Sequence, residues 1–199
     1  MNWSSPTSAT APLSAWVRDV PDWPQRGVLF RDLTPLWADG LAWERAVSAL
    51  AAPFDAAPPD MILGIEARGF LVAAALAARW RVGMLLARKP GKLPAAAHRE
   101  DYELEYGRAS LETHRDLVRS GTRVLIADDV LATGGTATAA LALARAIGLA
   151  PVGFAFLVEL LFLEGRAKLG GAAPVHAVIA YDAAGGVTVR EPRVSSPAP

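Results

Sequence analysis

The 199-residue sequence contains no cysteine, which excludes disulfides, thiolate nucleophiles and cysteine-based metal sites. Histidine is scarce too: His98, His114 and His176 stand far apart, without the paired spacing of a structural zinc site. Neither sign of charge is in excess, since Lys plus Arg and Asp plus Glu number 20 each. A nucleic-acid binder draws much of its affinity from a cationic face, so this balance argues against one. No apolar run approaches the ~20 residues that a membrane helix needs. Residues 1–12 are rich in Ser, Thr, Ala and Pro and lack the apolar stretch of a signal peptide, so a loose tail and a cytosolic protein are expected.

What is present is a chain that is 52% hydrophobic, enough for one substantial core by the length prior. Short unbroken apolar runs at 61–65, 83–87, 124–127, 152–158 and 175–181 read as strands buried on both faces. A further short edge strand is expected at 187–189. Helical segments alternate with these runs, at about 40–50, at 70–80 and from Thr136 to about Ile147. Strand and helix in alternation imply an α/β domain with a mostly parallel twisted sheet and helices on both faces. The expected domain spans 13–189, and 190–199 reads as a second disordered tail.

The chain is organised around 124–136, VLIADDVLATGGT. A buried strand delivers Asp128 and Asp129 to its carboxyl end, where open α/β sheets bind their ligands. Ala132, Thr133, Gly134, Gly135 and Thr136 then lead into an alanine-rich helix. Successive backbone N–H groups at such a turn, backed by the positive end of a helix, make an anion site. The Gly-Lys-Ser/Thr of a Walker loop does not follow, so this is not a nucleotide triphosphate loop of that kind. The pattern calls for a phosphate with a polyhydroxylated sugar beside it.

Four other blocks stand out. Residues 64–70, GIEARGF, again place a polar elbow between a buried strand and a helix. Residues 88–94, RKPGKLP, put Arg88, Lys89 and Lys92 at a strand's carboxyl end, where three cations suit a pyrophosphate. Residues 17–36 are irregular, broken by Pro21, Pro24, Gly27 and Pro35, and look like a covering hood. Residues 93–114 form a long excursion with two short strands expected at 102–107 and 110–114, preceded by a mobile 95–101. An excursion of that length inside a compact domain reads as a flap.

Taken together, the blocks at 21–35, 64–70, 88–94 with 102–107, and 124–136 resemble the type I phosphoribosyltransferases, and within them the adenine-using branch. That resemblance implies a homodimer that joins adenine to 5-phosphoribosyl 1-pyrophosphate with Mg²⁺, giving AMP and pyrophosphate. It assigns Ala132, Thr133, Gly134, Gly135 and Thr136 to the 5-phosphate, and Asp128 and Asp129 to the ribose. Ala67, Arg68, Arg88, Lys89 and Lys92 would hold pyrophosphate, with a cis peptide at Ala67–Arg68. Leu29, Phe30, Arg31 and Leu160 would enclose adenine. Glu105 would manage the proton near the base N7 and Tyr106 would cover the reaction, so that Arg68, Glu105, Tyr106, Asp128 and Asp129 form the catalytic set. Mg²⁺ would be carried mainly by substrate and water, near Asp128 and Asp129, with no direct protein cage. Two other readings remain open at this point: the same transfer to another purine, and a non-catalytic sensor of phosphoribosyl ligands.

Overall fold

The computed structural model describes Pro6, Ser8 and residues 10–94, 97–104 and 107–191, with the backbone alone at 102–104 and 107–109. The hood is a two-stranded antiparallel ribbon, β1 (Arg18–Pro21) and β2 (Leu29–Asp32), followed by the short α1 (Thr34–Ala38). Then come α2 (Gly40–Ala51), β3 (Met61–Ile65), α3 (Gly69–Trp80) and β4 (Gly83–Ala87). A hairpin follows, β5 (Ala97–Leu104) and β6 (Gly107–His114), and after it β7 (Arg123–Leu131) and α4 (Gly135–Ala146). The chain closes with β8 (Ala150–Leu160), α5 (Gly165–Lys168), β9 (Val175–Tyr181) and β10 (Val187–Val189).

Six strands form the central sheet in the order β10-β9-β8-β7-β3-β4, all parallel except β10 against β9. Each parallel strand is apolar on both faces because each face is covered. Leu50 of α2 and Val72 and Leu76 of α3 pack with Ile62, Leu125 and Leu157 on one side. Leu141 and Leu143 of α4 pack with Leu63, Ile126, Phe154 and Phe156 on the other. Burying a side chain of this size fully stabilises the fold by roughly 1.5–3 kcal/mol. The helix starts follow local chemistry. Asp39, outside α2, accepts the Ala42 N–H at 2.8 Å, and Arg81 in the left-handed region closes α3.

The order of strands positions the site. From β3 the chain steps outward to β4, then returns to lay β7 on the opposite side of β3. The carboxyl ends of β3 and β7 therefore flank a topological switch point, the crevice in which such sheets bind ligands. β3 pairs β7 only as far as Ala127, while β7 continues beside β8 to Leu131. Asp128 and Asp129 thus lie within the strand, at the point where its β3 side becomes free.

Three expectations are corrected here. Residues 97–101, expected to be mobile, are the first half of β5, paired from Ala97 against His114. Their polar sequence carries no apolar signal, and pairing with β6 supplies the order instead. Arg190 and Glu191, assigned to the tail, are held: Arg190 N–H donates to the Val178 carbonyl, and the Glu191 carboxylate accepts from Leu13 N–H and Arg45. The non-proline cis peptide is Glu66–Ala67, one bond before the expected Ala67–Arg68. Arg68 already has helical dihedrals as the residue capping α3, so the chain turns from strand to helix one residue earlier than the motif suggested.

Candidate active site

A cleft of about 550 Å³ opens at the switch point. The hood supplies Val28, Leu29, Phe30 and Arg31, the β3–α3 elbow Glu66, Ala67 and Arg68, and the β7 end Asp128, Asp129 and Val130. Ala132, Thr136, Lys89, Leu111 and Leu160 complete it. A smaller hollow of about 70 Å³ continues from Asp128 over residues 130–137, including Thr133, Gly134 and Gly135. These two spaces unite most of the residues named from the sequence. Arg88 and Lys92 are not among the lining residues, and Glu105 and Tyr106 lie outside the described ones.

The smaller hollow sits on the N-terminus of α4. Gly134 has φ +81° there, and its carbonyl accepts both N–H and hydroxyl of Thr138, which fixes the first turn. The loop is packed from below by the N-terminus of α5. A Cβ added at Gly165 would lie 2.1 Å from the Ala132 carbonyl, and one at Gly134 would lie 2.4 Å from that of Gly165. α5 is in turn fixed by Arg166, which donates to both carboxylate oxygens of the buried Glu159 at 2.8 and 2.5 Å and to the Val175 carbonyl. Burial would strand the Glu159 charge without that guanidinium. This buttress was not recognised in the sequence.

Asp128 and Asp129 are shut in together. Burial raises the Asp128 pKa well above the usual carboxylate range, and the neighbouring Asp129 charge adds to it. Burial raises Asp129 as well, opposed by the Arg68 cation. Arg68 Nε lies 2.7 Å from Asp129 Oδ2, without hydrogen-bond alignment, and its guanidinium carbon stands 5.4 Å from the Phe30 ring centre. Arg68 therefore links hood, elbow and carboxylate pair. α3 presses close behind: a Cβ at Gly69 would lie 2.6 Å from Asp128 Oδ1, so only glycine lets this helix start against β7.

At the other end, residues 88–92 turn away from β4. Arg88 faces inward on its own loop: it donates to the Lys92 carbonyl at 2.9 Å and lies 3.5 Å from Glu66 Oε2. Lys89 is the cation of this turn that reaches the cleft. In the hood, the Arg31 side chain points away from the cleft. It pairs with Asp19 across the ribbon and lies over the Tyr181 ring at 3.9 Å, leaving its backbone beside Phe30 and Leu29. Trp23 packs edge-on against Phe30 at 4.3 Å between ring centres. Leu160, opposite the hood, pairs with Tyr181 in the sheet, so one residue supports both walls.

Two adjacent carboxylates that are both held above the usual carboxylate range are suited to positive charge, as a metal ion or a cationic sugar would bring. Among the described residues no group of three or more His, Cys, Asp or Glu side chains could hold a metal alone. An ion here would need oxygens from the ligand.

Residues 39–170 match the phosphoribosyl transferase domain family. The adenine phosphoribosyltransferase of Sorangium cellulosum is 51% identical over 175 residues, covering 86% of this chain and 88% of that protein. The crystal structure of adenine phosphoribosyltransferase from Thermoanaerobacter pseudethanolicus superposes with a TM-score of 0.82 at 44% identity, over 85% of this chain and 98% of the other. That from Saccharomyces cerevisiae, complexed with an imino-altritol bisphosphate and adenine, gives a TM-score of 0.78 at 36% identity, over 83% and 95%. On sequence, fold and site together, the chain belongs to the adenine phosphoribosyltransferase family of type I phosphoribosyltransferases.

Proposed function

We propose that the cleft joins adenine to 5-phosphoribosyl 1-pyrophosphate, releasing pyrophosphate and forming AMP. The observation that carries this is a bipartite cleft at one switch point, with an anion hollow on a helix N-terminus at one end and a cationic elbow and turn at the other. The 5-phosphate takes the backbone N–H groups and hydroxyls of residues 132–136. The ribose hydroxyls lie on Asp128 and Asp129. Arg68 and Lys89, with the turn carrying Arg88 and Lys92, take the pyrophosphate.

The bond from the anomeric carbon to the pyrophosphate oxygen breaks as the bond to base N9 forms, and the base gives up its imidazole proton from N7. Positive charge develops on the sugar ring between these events. The half-buried Asp128 and buried Asp129 carboxylates are placed to stabilise it, while the cationic turn receives the leaving negative charge. Adenine lies between Leu29 and Phe30 on the hood and Leu160 on β8, with the Arg31 backbone at its edge. Glu105 manages the proton near N7, and Tyr106 shields the reaction from water. Glu105→Gln should lower turnover by about 10²-fold while donor affinity is retained.

Mg²⁺ fits this donor set: Asp128 and Asp129 would face it, with donor oxygens and water completing its shell. When bound it neutralises pyrophosphate charge. The enzyme acts as a cytoplasmic homodimer in this reading. Leu161 and Phe162, 43% and 49% exposed just beyond the cleft wall, are available for subunit contact. No helix among the described residues is long and apolar enough to cross a membrane.

The test is nucleotide formation from each purine separately with Mg²⁺ and 5-phosphoribosyl 1-pyrophosphate. AMP from adenine alone is expected. Product from hypoxanthine or guanine instead would reassign the base, and no product with any base would make the chain a sensor.

A further inference from the structure

The turn at 88–92 has a physical problem. It gathers Arg88, Lys89 and Lys92 on five residues that belong to no helix or strand of the sheet. Repulsion among these cations favours a spread of conformations, yet a pyrophosphate site needs one. The structure shows what opposes the repulsion: two carboxylates that grip the backbone of the turn. From the β3–α3 elbow, Glu66 Oε2 accepts the Lys89 N–H at 2.7 Å. From the hairpin, Glu112 does more. Its N–H and carbonyl form a closed bridge with Arg88, at 2.7 and 2.8 Å, and its Oε2 accepts the Gly91 N–H at 3.0 Å. Gly91 has φ +74°, a conformation that turns its N–H toward that carboxylate.

Glu112 owes this position to alternation along β6. Leu111 and Thr113 point into the protein, with Leu111 lining the cleft, and Glu112 points the other way, toward the turn. Its side chain is not among those lining the cleft.

We propose that Glu112 is a positioning residue for the pyrophosphate turn: it shapes the turn from the hairpin and so ties the donor's leaving-group site to β6. This rests on the turn being the pyrophosphate site. The essential contact is the acceptor bond to Gly91, not the negative charge alone. Glu112→Ala removes it. Glu112→Asp keeps the charge but is one methylene too short to reach. Glu112→Gln loses the charge but keeps an oxygen that can accept.

The experiment uses the full chain and measures affinity for 5-phosphoribosyl 1-pyrophosphate, inorganic pyrophosphate and ribose 5-phosphate, with the Tm of each variant and the KM for adenine. Glu112→Ala and Glu112→Asp should weaken the first two ligands by about 10- to 100-fold, the scale of a hydrogen bond to a charged group. Ribose 5-phosphate affinity, adenine KM and Tm should hold, and Glu112→Gln should return to within about threefold of the parent protein. Equal loss for ribose 5-phosphate and pyrophosphate, or loss that tracks Tm, would make Glu112 merely structural and overturn the proposal. So would full function in Glu112→Ala, or a Gln variant as poor as Ala beside a normal Asp variant. The pyrophosphate reading of the turn fails separately, and this proposal with it, if the unaltered protein holds 5-phosphoribosyl 1-pyrophosphate no better than ribose 5-phosphate.

Discussion

At the α4 end of the cleft, the groups offered to a ligand are backbone N–H donors fixed between two glycines. At the β4 end they are long cationic side chains on a turn with no regular structure. The first end is rigid because it is packed: Gly134 and Gly165 touch with no room for a Cβ on either, and the Glu159–Arg166 pair anchors the contact to β8. The second end is shaped by carboxylates from two other segments, Glu66 and Glu112. The difference suits the proposed reaction. The 5-phosphate stays in place from donor to product, so a fixed cradle costs nothing. The pyrophosphate must enter with the donor and leave alone, so adjustable side chains serve better.

The carboxylate pair between the two ends should give the largest effect. Asp128→Asn should reduce turnover by about 10²- to 10³-fold, as loss of a preorganised charge does. It should also alter the pH dependence of stability. Asp128 has a folded-state pKa above its ordinary value of 3.8, so between those two values the folded protein holds more protons than the unfolded chain. Stability contributed by this group is therefore greatest at the acid end and falls as pH rises through that window. Thermal unfolding across pH should show a shallower decline for Asp128→Asn than for the parent protein.

Gly165→Ala addresses the rigid end alone. Its new methyl would meet backbone, the Ala132 carbonyl, which cannot swing aside as a side chain can. Displacing the loop should weaken ribose 5-phosphate by up to about 10²-fold, while inorganic pyrophosphate binds as before. Equal loss of both ligands would show that the ends are not independent. A smaller effect is expected from Arg166→Ala, which leaves Glu159 buried and unpaired. A buried pair broken in this way costs about 3–5 kcal/mol, and the half-exposed Arg166 side chain reduces that to about 2 kcal/mol, or roughly 4–8 °C in Tm. The smallest effect concerns the wall on the hood side. Tyr181→Leu removes the ring under Arg31 and should raise the adenine KM about two- to fivefold without changing donor affinity, whereas Tyr181→Phe should not.

The parts of this molecule that were readable in advance are those whose cause lies close in sequence. β3 and β7 announced themselves by apolar runs, and residues 128–136 by a strand, two carboxylates and a glycine turn in succession. What escaped were contacts made at a distance. Nothing local in Gly165 tells that it will press on a loop thirty residues earlier, and Glu112 looks like any solvated residue of a polar strand until pairing brings it to Arg88. The same holds for β5, whose residues 97–101 carry no apolar alternation and become a strand only beside β6. The proposed base wall is an intermediate case: Leu29, Phe30 and Arg31 were named by resemblance, but the anchoring of Arg31 on Tyr181 required the fold.

The bridge between Arg88 and Glu112 has a further consequence, for how the protein behaves at high concentration. β4 is the last strand of a six-stranded sheet, and a terminal strand offers unpaired N–H and carbonyl groups to any passing chain. Where β4 ends, those groups are already taken by the hairpin, and the sequence continues into three cations that repel another copy of themselves. The hairpin that frames the cleft thus also guards the carboxyl end of the sheet's border, so shortening it would trade catalysis and solubility away together.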